Sequence, residues 1–376
     1  MPSRQSKVAL VHDDFMQTGG AEGLFATIAQ LYPDAPIYTS LVDQFKLPPS
    51  IDPERIKTSF IQKIPFSKYF YKALLLLYPL AFESFNFDDF DLVISSTTRF
   101  AKSIITKPKT VHISYVNSIP RFLWDRQSQI NYLPAPARFI LKPFFDWLRR
   151  WDRASSSRAD FYFANSQNVA KKIGQIYNRK SHVVYPHAAT NFFTPAKIHN
   201  WQLKSQNYFL VATRLVKWKK IEIAISAAVE LGINLKIVGT GPDEKRLKRM
   251  VSGGQIEFLG RVSRRQLRRL YRNCTAAIVT QAEDFGIVPV EAQACGAPVI
   301  AYRAGGSLET IKDGQTGVFF EKQTANSLKD AISAASKLKW SVPVLRKNAL
   351  KFSKKIFVKD FKKAVQIACQ NSVVSK

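Results

Sequence analysis

The sequence predicts an α/β protein with two successive halves, each built on a parallel β-sheet. Short apolar runs without polar alternation recur along the chain, and such runs are typical of strands buried on both faces. Helical patterns separate these runs, and strands that alternate with helices favour a parallel sheet. The alternation restarts after residues 188–206, an aperiodic stretch that we interpret as a linker.

The predicted elements follow from this pattern in chain order. The predicted strands cover residues 7–12, 91–97, 111–117, 160–166 and 182–186 in the first half, and 208–213, 234–239, 256–260, 276–280 and 298–302 in the second. A glycine turn at residues 18–20 leads into a helix predicted over residues 21–32, and a basic amphipathic helix is predicted over residues 352–370. We therefore expect domains at residues 1–190 and 191–355, followed by a C-terminal helix at 356–376.

Composition narrows the classes of function. The chain has 56 basic and 28 acidic residues, a formal charge of +28, which favours a polyanionic partner: nucleic acid, nucleotide phosphates or an anionic membrane. Three cysteines without paired spacing suit a reducing, cytoplasmic compartment. Five histidines lack metal-ligand spacing, so we expect no metal site. The N-terminus has no apolar signal core, and the longest apolar run, 73–82, is shorter than the roughly 20 residues of a spanning helix, so we expect no membrane crossing.

Residues 281–311 carry the strongest candidate site. An acidic loop follows the strand at 276–280, and Pro289 suits the first turn of the next helix, which would place Glu291 in that turn. We expect Glu283 and Glu291 to face one crevice, where their carboxylates can accept hydrogen bonds from sugar or ribose hydroxyls. The amides around Gly286, at a helix N-terminus, can bind a phosphate. The alternative, two solvated glutamates beside a helix start, is favoured by the spacing alone.

The sequence of this stretch resembles the acidic signature of retaining glycosyltransferases of family 4, especially their mannosyltransferase-like branch. The similar part reads EDFGIVPVEAQACGAPVIAY, followed by GG and ET. The resemblance runs from residue 8 to about residue 320. It implies the GT-B fold, two Rossmann-like domains facing across a cleft, with a terminal helix that crosses back to the first domain. It also implies retaining transfer of a sugar from a nucleoside diphosphate to a hydroxyl of a glycan or lipid-linked acceptor. GDP-mannose is the first expectation for the donor.

The resemblance also implies roles for particular residues. Glu283 would hold hydroxyls of the donor sugar, and Glu291 would hold the ribose. The amides of Phe285, Gly286 and Ile287 would contact the diphosphate.

Two further loops complete the predicted donor site. Arg214 and Lys219, five residues apart after a strand, can converge on a diphosphate and stabilise the charge on the leaving phosphate. A solvated basic loop is the alternative, and we interpret Lys217 and Lys220 as surface residues. Gly20 would lie near the donor phosphates. We expect neither a metal nor a cofactor, because the cations and the helix terminus already balance the phosphates.

The chain departs from the family at Asn117. The family usually has a histidine there that faces the transferred sugar, whereas an asparagine can bind a hydroxyl but cannot shuttle a proton. A changed role, a changed donor and lost activity all remain open, and we favour a changed role. Arg121 and Trp124 would line the acceptor side or serve in packing.

Two stretches mix lysine and arginine with aromatic residues: 60–82 and 139–153. Helices of this composition suit the headgroup layer of a membrane, so we expect peripheral attachment to the anionic inner face. Core helices with a charged outer face are the alternative. A third basic stretch, 261–272, is interpreted as a solvated helix face.

Three other functions remain open. A GT-B nucleotide-sugar epimerase would require an acid/base set that we do not find in the sequence. A catalytically degenerate relative is suggested by Asn117. A nucleic-acid-binding protein is suggested by charge alone, but most aromatics lie in or beside apolar strands rather than in a basic stripe.

Overall fold

The computed structural model describes residues 6–71, 73–125, 135–196, 207–251 and 255–374. The chain divides into two compact units, one formed by Met1–Val184 with Asp360–Lys376 and the other by Tyr185–Lys359. The division precedes the predicted linker, because Ala188 and Phe193 are buried in the core of the second unit. The remainder of that linker, 197–206, lies outside the described residues, as do residues 1–5 and the last two residues of the predicted C-terminal helix.

The first unit contains a parallel sheet with seven strands in the part of the chain that the structure describes. The strands are β1 (Val8–His12), β2 (Ile37–Thr39), β3 (Ile56–Thr58), β4 (Leu92–Thr97), β5 (Val111–Val116), β6 (Phe161–Ala164) and β7 (His182–Val183). Their order is β3-β2-β1-β4-β5-β6-β7. The order reverses direction between β1 and β4, so this sheet has a switch point there.

Helices cover both faces of this sheet, as the crossovers between parallel strands require. They are α1 (Gly20–Leu31), α2 (Ser67–Phe70), α3 (Tyr78–Glu83), α4 (Arg121–Trp124), α5 (Ala135–Ser155) and α6 (Gln167–Tyr177). The prediction that residues 60–82 form a membrane-surface helix is wrong for the observed backbone. The stretch contains only short helical pieces, with Phe66 in the left-handed region at φ 57°. Lys72, within it, lies outside the described residues.

The second unit repeats this architecture with six strands among its described residues. They are β8 (Tyr208–Ala212), β9 (Asn234–Val238), β10 (Ile256–Gly260), β11 (Ala276–Val279), β12 (Val299–Tyr302) and β13 (Gly317–Phe320). Their order is β10-β9-β8-β11-β12-β13, with every pair parallel. The switch point of this sheet lies between β8 and β11.

The helices of the second unit pack against the sheet and form two hydrophobic core clusters with it. They are α7 (Ile221–Leu231), α8 (Glu244–Arg249), α9 (Arg264–Asn273), α10 (Ile287–Ala294), α11 (Ser307–Thr310), α12 (Ala325–Ser336) and α13 (Val342–Leu350); α14 (Lys354–Val374) begins here and ends in the first unit. None of the helices in the described ranges combines the length and the apolarity of a membrane span.

All ten predicted strands are present, and the predicted parallel architecture is confirmed. Strand β7 is shorter than predicted; Pro186, the last residue of the predicted run, has no N–H to donate to a ladder. The sequence analysis missed β2, β3 and β13. The first two have only three residues each, which is too short for a periodic signal.

Candidate functional site

The candidate site is at the carboxyl edge of the second sheet, around its switch point. In open parallel sheets, ligands bind outside the carboxyl ends of the strands where the strand order reverses. Strand β8 runs directly into the loop that carries Arg214 and Lys219, and the neighbouring β11 runs into the loop that carries Glu283. The topology therefore brings the predicted basic loop and the predicted acidic loop to one place.

Lys219 and Glu283 form an ion pair at this edge. The ammonium Nζ of Lys219 lies 2.5 Å from Oε1 of Glu283, and the amide of Gln281 donates a hydrogen bond to the same oxygen. The hydroxyl of Thr280 donates to the Lys219 carbonyl at 2.6 Å, which ties the end of β11 to the basic loop. Both charged side chains keep a small exposed fraction, 11% for Lys219 and 17% for Glu283. The pair is thus preorganised but still reachable from solvent.

This pairing changes the interpretation from sequence, which gave Lys219 and Glu283 separate tasks. The lysine orients the carboxylate as well as contributing positive charge. Gln281 was missed, because an amide next to an acidic loop gives no sequence signal of its own.

Arg214 lies in the loop directly after β8, and its side chain is exposed. Its backbone is fixed from the β9 side, since the amide of Leu215 donates to the carbonyl of Thr240 at 3.0 Å. Gly239 allows this close approach: a Cβ at that position would lie 1.8 Å from the Thr213 carbonyl oxygen, and the residue has a φ of 128°. The sequence analysis missed this loop, although Gly-Thr-Gly after a predicted strand was a visible signal.

Helix α10 begins after Gly286, which has a φ of 90°. Pro289 lies in the first turn as predicted, but the prediction that Glu291 lies there is wrong. The helix starts at Ile287, so Glu291 is its fifth residue and lies beyond the first turn. This N-terminus, with the amide of Ile287, follows the loop that leaves β11, where the sequence analysis predicts an anion site.

Burial raises the pKa of Glu291 to about 7, and the nearby guanidinium of Arg264 only partly opposes this shift. A carboxyl with this pKa is partly protonated at neutral pH and can both donate and accept hydrogen bonds.

The ring of Phe285 belongs to the protein core. It packs against Tyr185 and Phe352, with ring centroids 6.0 and 5.3 Å away. Of the predicted donor contacts, Phe285 can therefore contribute only its backbone.

A second glycine loop supports Glu283 from behind. The amide of Gly306 donates to the Glu283 carbonyl at 2.8 Å, and a Cβ on Gly306 would lie 2.3 Å from the Phe285 carbonyl oxygen. The paired glycines predicted after β12 therefore allow the two loops to touch. This contact fixes the backbone on which the Glu283 carboxylate is mounted.

The other predicted residues belong to the first unit. Gly20 is exposed and is the first residue of α1, after the end of β1. Asn117 directly follows β5, where its Nδ2 donates to the Ser96 hydroxyl at 2.9 Å. Arg121 is half-buried and opens α4. The structure thus places Asn117 directly at the carboxyl edge of the first sheet and Gly20 at the end of the loop that leaves β1.

The switch point of the first sheet holds a buried charged cluster that the sequence analysis did not single out. The carboxylate of Asp13 accepts hydrogen bonds from the backbone amides of Thr98, Arg99, Phe100 and Ala101 and from two threonine hydroxyls. These bonds hold the loop after β4 against the end of β1.

Beside it, Asp14 forms an ion pair with Arg99 and accepts a hydrogen bond from Tyr78. Glu22, in the first turn of α1, is buried nearby. Burial is the main reason that its pKa is raised to about 7, and the negative charge of Asp14 adds to the shift.

Comparison with known proteins finds a family likeness for most of the second unit. Residues 195–354 match the family model described as Glycosyl transferases group 1. This region of the chain is therefore similar to group 1 glycosyltransferases. The matched range contains every predicted donor residue except Gly20, so the loops described above lie within it.

Two curated relatives and one solved structure extend the comparison. An uncharacterized glycosyltransferase of Methanocaldococcus jannaschii is 35% identical over 153 residues, 40% of this chain and 44% of the relative. The human alpha-1,3/1,6-mannosyltransferase ALG2 is 30% identical over 207 residues, 47% of this chain and 49% of the relative. The chain spans about half the length of the curated relatives it matches.

The structure of Anabaena HepE in complex with UDP and glucose has a TM-score of 0.67 at 17% identity, covering 96% of this chain and all of HepE. This likeness shows the fold over both units. The predicted class, GT-B with two Rossmann-like domains and parallel sheets, is confirmed.

Proposed function

We propose that the protein is a retaining glycosyltransferase that moves a sugar, with mannose as the first candidate, from a nucleoside diphosphate to a hydroxyl of a glycan or lipid-linked acceptor. The observation that carries the proposal is the Lys219–Glu283 ion pair at the switch point of the second sheet, with the exposed Arg214 in the same loop as Lys219. Carboxylates accept hydrogen bonds from sugar hydroxyls, and guanidinium and ammonium groups bind a diphosphate, so one edge offers partners for both parts of the donor.

The chemistry follows from these assignments. Arg214, Lys219 and the α10 N-terminal amides hold the diphosphate, Glu283 holds the sugar, and Glu291 holds the ribose. The bond between the anomeric carbon and the phosphate oxygen breaks, and the acceptor oxygen bonds to that carbon on the same face. The acceptor proton passes to the leaving phosphate oxygen. Fixed cations lower the barrier because negative charge accumulates on this phosphate, and no metal is needed in this scheme.

The identity of the donor rests on similarity. The human relative is named a mannosyltransferase, and the 281–311 stretch resembles the mannosyltransferase-like branch. GDP-mannose is therefore our first choice, and Asn117 would bind an acceptor or sugar hydroxyl where the family usually has a histidine. We further propose that the protein works on the inner face of the membrane, where it would meet a lipid-linked acceptor.

A panel of nucleotide sugars tests the proposal. The protein is incubated with GDP-mannose, UDP-glucose and UDP-galactose, with and without a membrane lipid extract, and nucleoside diphosphate release is measured. We expect release from GDP-mannose above the other two, stimulation by the extract, and an anomeric configuration in the product that matches the donor by NMR.

Glu283→Gln should abolish most of the release. Glu257→Gln, an exposed carboxylate on β10 of the same unit, is the matched control and should leave it unchanged. Inversion at the anomeric carbon, a free epimerised sugar without an acceptor, or no release from any donor would contradict the proposal.

A further inference from the structure

An open pocket of about 460 Å³ lies on the first unit between α4 and the second half of α5. Its lining contains three arginines and one aspartate, a formal net charge of +2 (3 − 1): Trp124, Asp146, Arg149, Arg150, Arg153 and Ala154. The aspartate is already engaged, since Asp146 pairs with Arg149 at 2.8 Å and with Lys142 at 3.3 Å. The pocket therefore presents positive charge to whatever enters it.

Buried contacts beneath the pocket fix its walls. The indole of Trp124 donates to the Asp152 carboxylate at 2.7 Å, and Asp152 is itself buried in an ion pair with Lys102. The guanidinium of Arg153 lies 5.2 Å from the Trp124 ring centroid, and Arg149 donates to the Leu123 carbonyl at 2.7 Å. Helix α4 is thus tied to α5, and the arginines are held in place before any ligand arrives.

The same helix α5 exposes two large apolar side chains near its N-terminal end and a third past its midpoint. Phe139 is 81% exposed and Ile140 is 74% exposed near the N-terminus, and Trp147, beside the arginines, is 47% exposed. Moving such side chains out of water lowers the free energy. Two basic residues accompany them along the helix: Lys142 lies between Ile140 and Trp147 in the sequence, and Arg150 lies three residues after Trp147. A helix with bare aromatic and aliphatic groups at one end and arginines at the other matches the two layers of an anionic lipid surface.

A second segment of the first unit also exposes apolar side chains. Phe66, Tyr69 and Phe70 are exposed around α2, with exposed Lys68 among them. Tyr71, directly after α2, and Leu148 of α5 belong to one hydrophobic cluster of the first unit. Both exposed groups therefore belong to the same unit.

We propose that the pocket binds the phosphate of an anionic membrane lipid while the exposed end of α5 enters the lipid layer. The inference rests on the proposed function only for the location of the protein at a membrane. Phosphate suits the site because several guanidinium groups can share its oxygens, and the neighbouring apolar side chains give the acyl region a partner. A free nucleotide or a nucleic acid would leave Phe139 and Ile140 in water.

Vesicle cosedimentation tests the site with the full chain. Vesicles of phosphatidylcholine with phosphatidylglycerol should bind the protein, and vesicles of phosphatidylcholine alone should bind it far less. Arg150→Gln should weaken binding about fivefold, the effect of one basic group near an anionic surface. Phe139→Ser with Ile140→Ser should weaken it more than tenfold, because two large apolar groups no longer leave water.

Matched controls are Arg265→Gln on α9 and Val344→Ser on α13, exposed residues of the other unit, and both should bind as the parent does. Equal binding by all variants, equal binding to neutral vesicles, or a dimer in solution that Phe139→Ser dissolves would overturn the proposal. The proposed function is tested separately, by measuring GDP release from GDP-mannose without vesicles. If the parent protein releases no GDP from GDP-mannose but still binds anionic vesicles, the proposed function is refuted and the lipid site is not.

Discussion

The two sheets have the same strand order around their switch points, but they use charged side chains there in different ways. In the first unit, the carboxylate of Asp13 accepts hydrogen bonds from backbone amides of the loop after β4, and Asp13 is 1% exposed. In the second unit, Lys219 and Glu283 form an ion pair, Gln281 donates a hydrogen bond to Glu283, and both charged side chains keep partial access to solvent. The comparison teaches that a charged group at a switch point is not by itself a sign of chemistry. The two switch points differ in the partners of the charged side chain: the Asp13 carboxylate accepts its hydrogen bonds from the backbone, whereas the Glu283 carboxylate accepts them from other side chains.

The largest expected effect concerns the first of these regions. Asp13→Ala should destabilise the protein by roughly 3–5 kcal/mol, because four backbone amides, two of them buried and two half-buried, lose a charged acceptor. The midpoint of urea unfolding measures the change. Asp13→Asn, which keeps the size but loses the charge, should lose less stability. A wild-type midpoint for both variants would show that the carboxylate does not hold the loop.

Glu283→Gln should have the opposite profile. The amide keeps the size and can still accept from Lys219, so stability should change by less than about 1 kcal/mol. Donor turnover should fall by about 10²–10³-fold, as expected when a preorganised charged contact to the reacting group is lost. Steady-state GDP release and urea unfolding measured on the same sample check the pair of effects. Lost stability with normal turnover would reverse the comparison between the two switch points.

Glu22 gives a test that depends on pH. Its pKa is raised from 4.5 to about 7, so the folded state binds more protons than the unfolded state between these values. The stability contribution of this carboxyl is complete below pH 4.5 and is lost as the pH rises through about 7.

Relative to the parent, Glu22→Gln should therefore be stabilised by up to roughly 3 kcal/mol at about pH 8 and by little at about pH 4. Thermal unfolding at several pH values measures this difference. Glu54→Gln, an exposed glutamate of the same unit, is the control. A constant difference between Glu22→Gln and the parent at all pH values would mean that Glu22 is not buried as described.

Much of the fold could be predicted from the sequence because parallel strands buried on both faces leave a strong local signal. The strands Ala276–Val279 and Val299–Tyr302 could be predicted for this reason. The order of the strands was not visible, since it depends on contacts between distant segments. The short strand Ile56–Thr58 was missed because three partly exposed residues carry no period.

The site was predictable only in part, for a related physical reason. Residue type and spacing pointed to Arg214, Lys219 and Glu283, but the ion pair between the last two depends on β8 and β11 being neighbours. The predicted place of Glu291 in the first turn was wrong, because α10 already begins after Gly286 and Glu291 is its fifth residue. Asp13 escaped notice because its partners lie more than eighty residues away.

The central claim is that, at the switch point of the second sheet, Arg214 binds the diphosphate and Glu283 binds the sugar of the same donor molecule. Isothermal titration of GDP and of GDP-mannose into the parent, Arg214→Ala and Glu283→Gln tests it most directly. We predict that Arg214→Ala weakens both ligands by about thirtyfold, the value of a lost charged hydrogen bond of about 2 kcal/mol, whereas Glu283→Gln weakens only GDP-mannose. Parent-like affinity of both variants for both ligands would contradict the account.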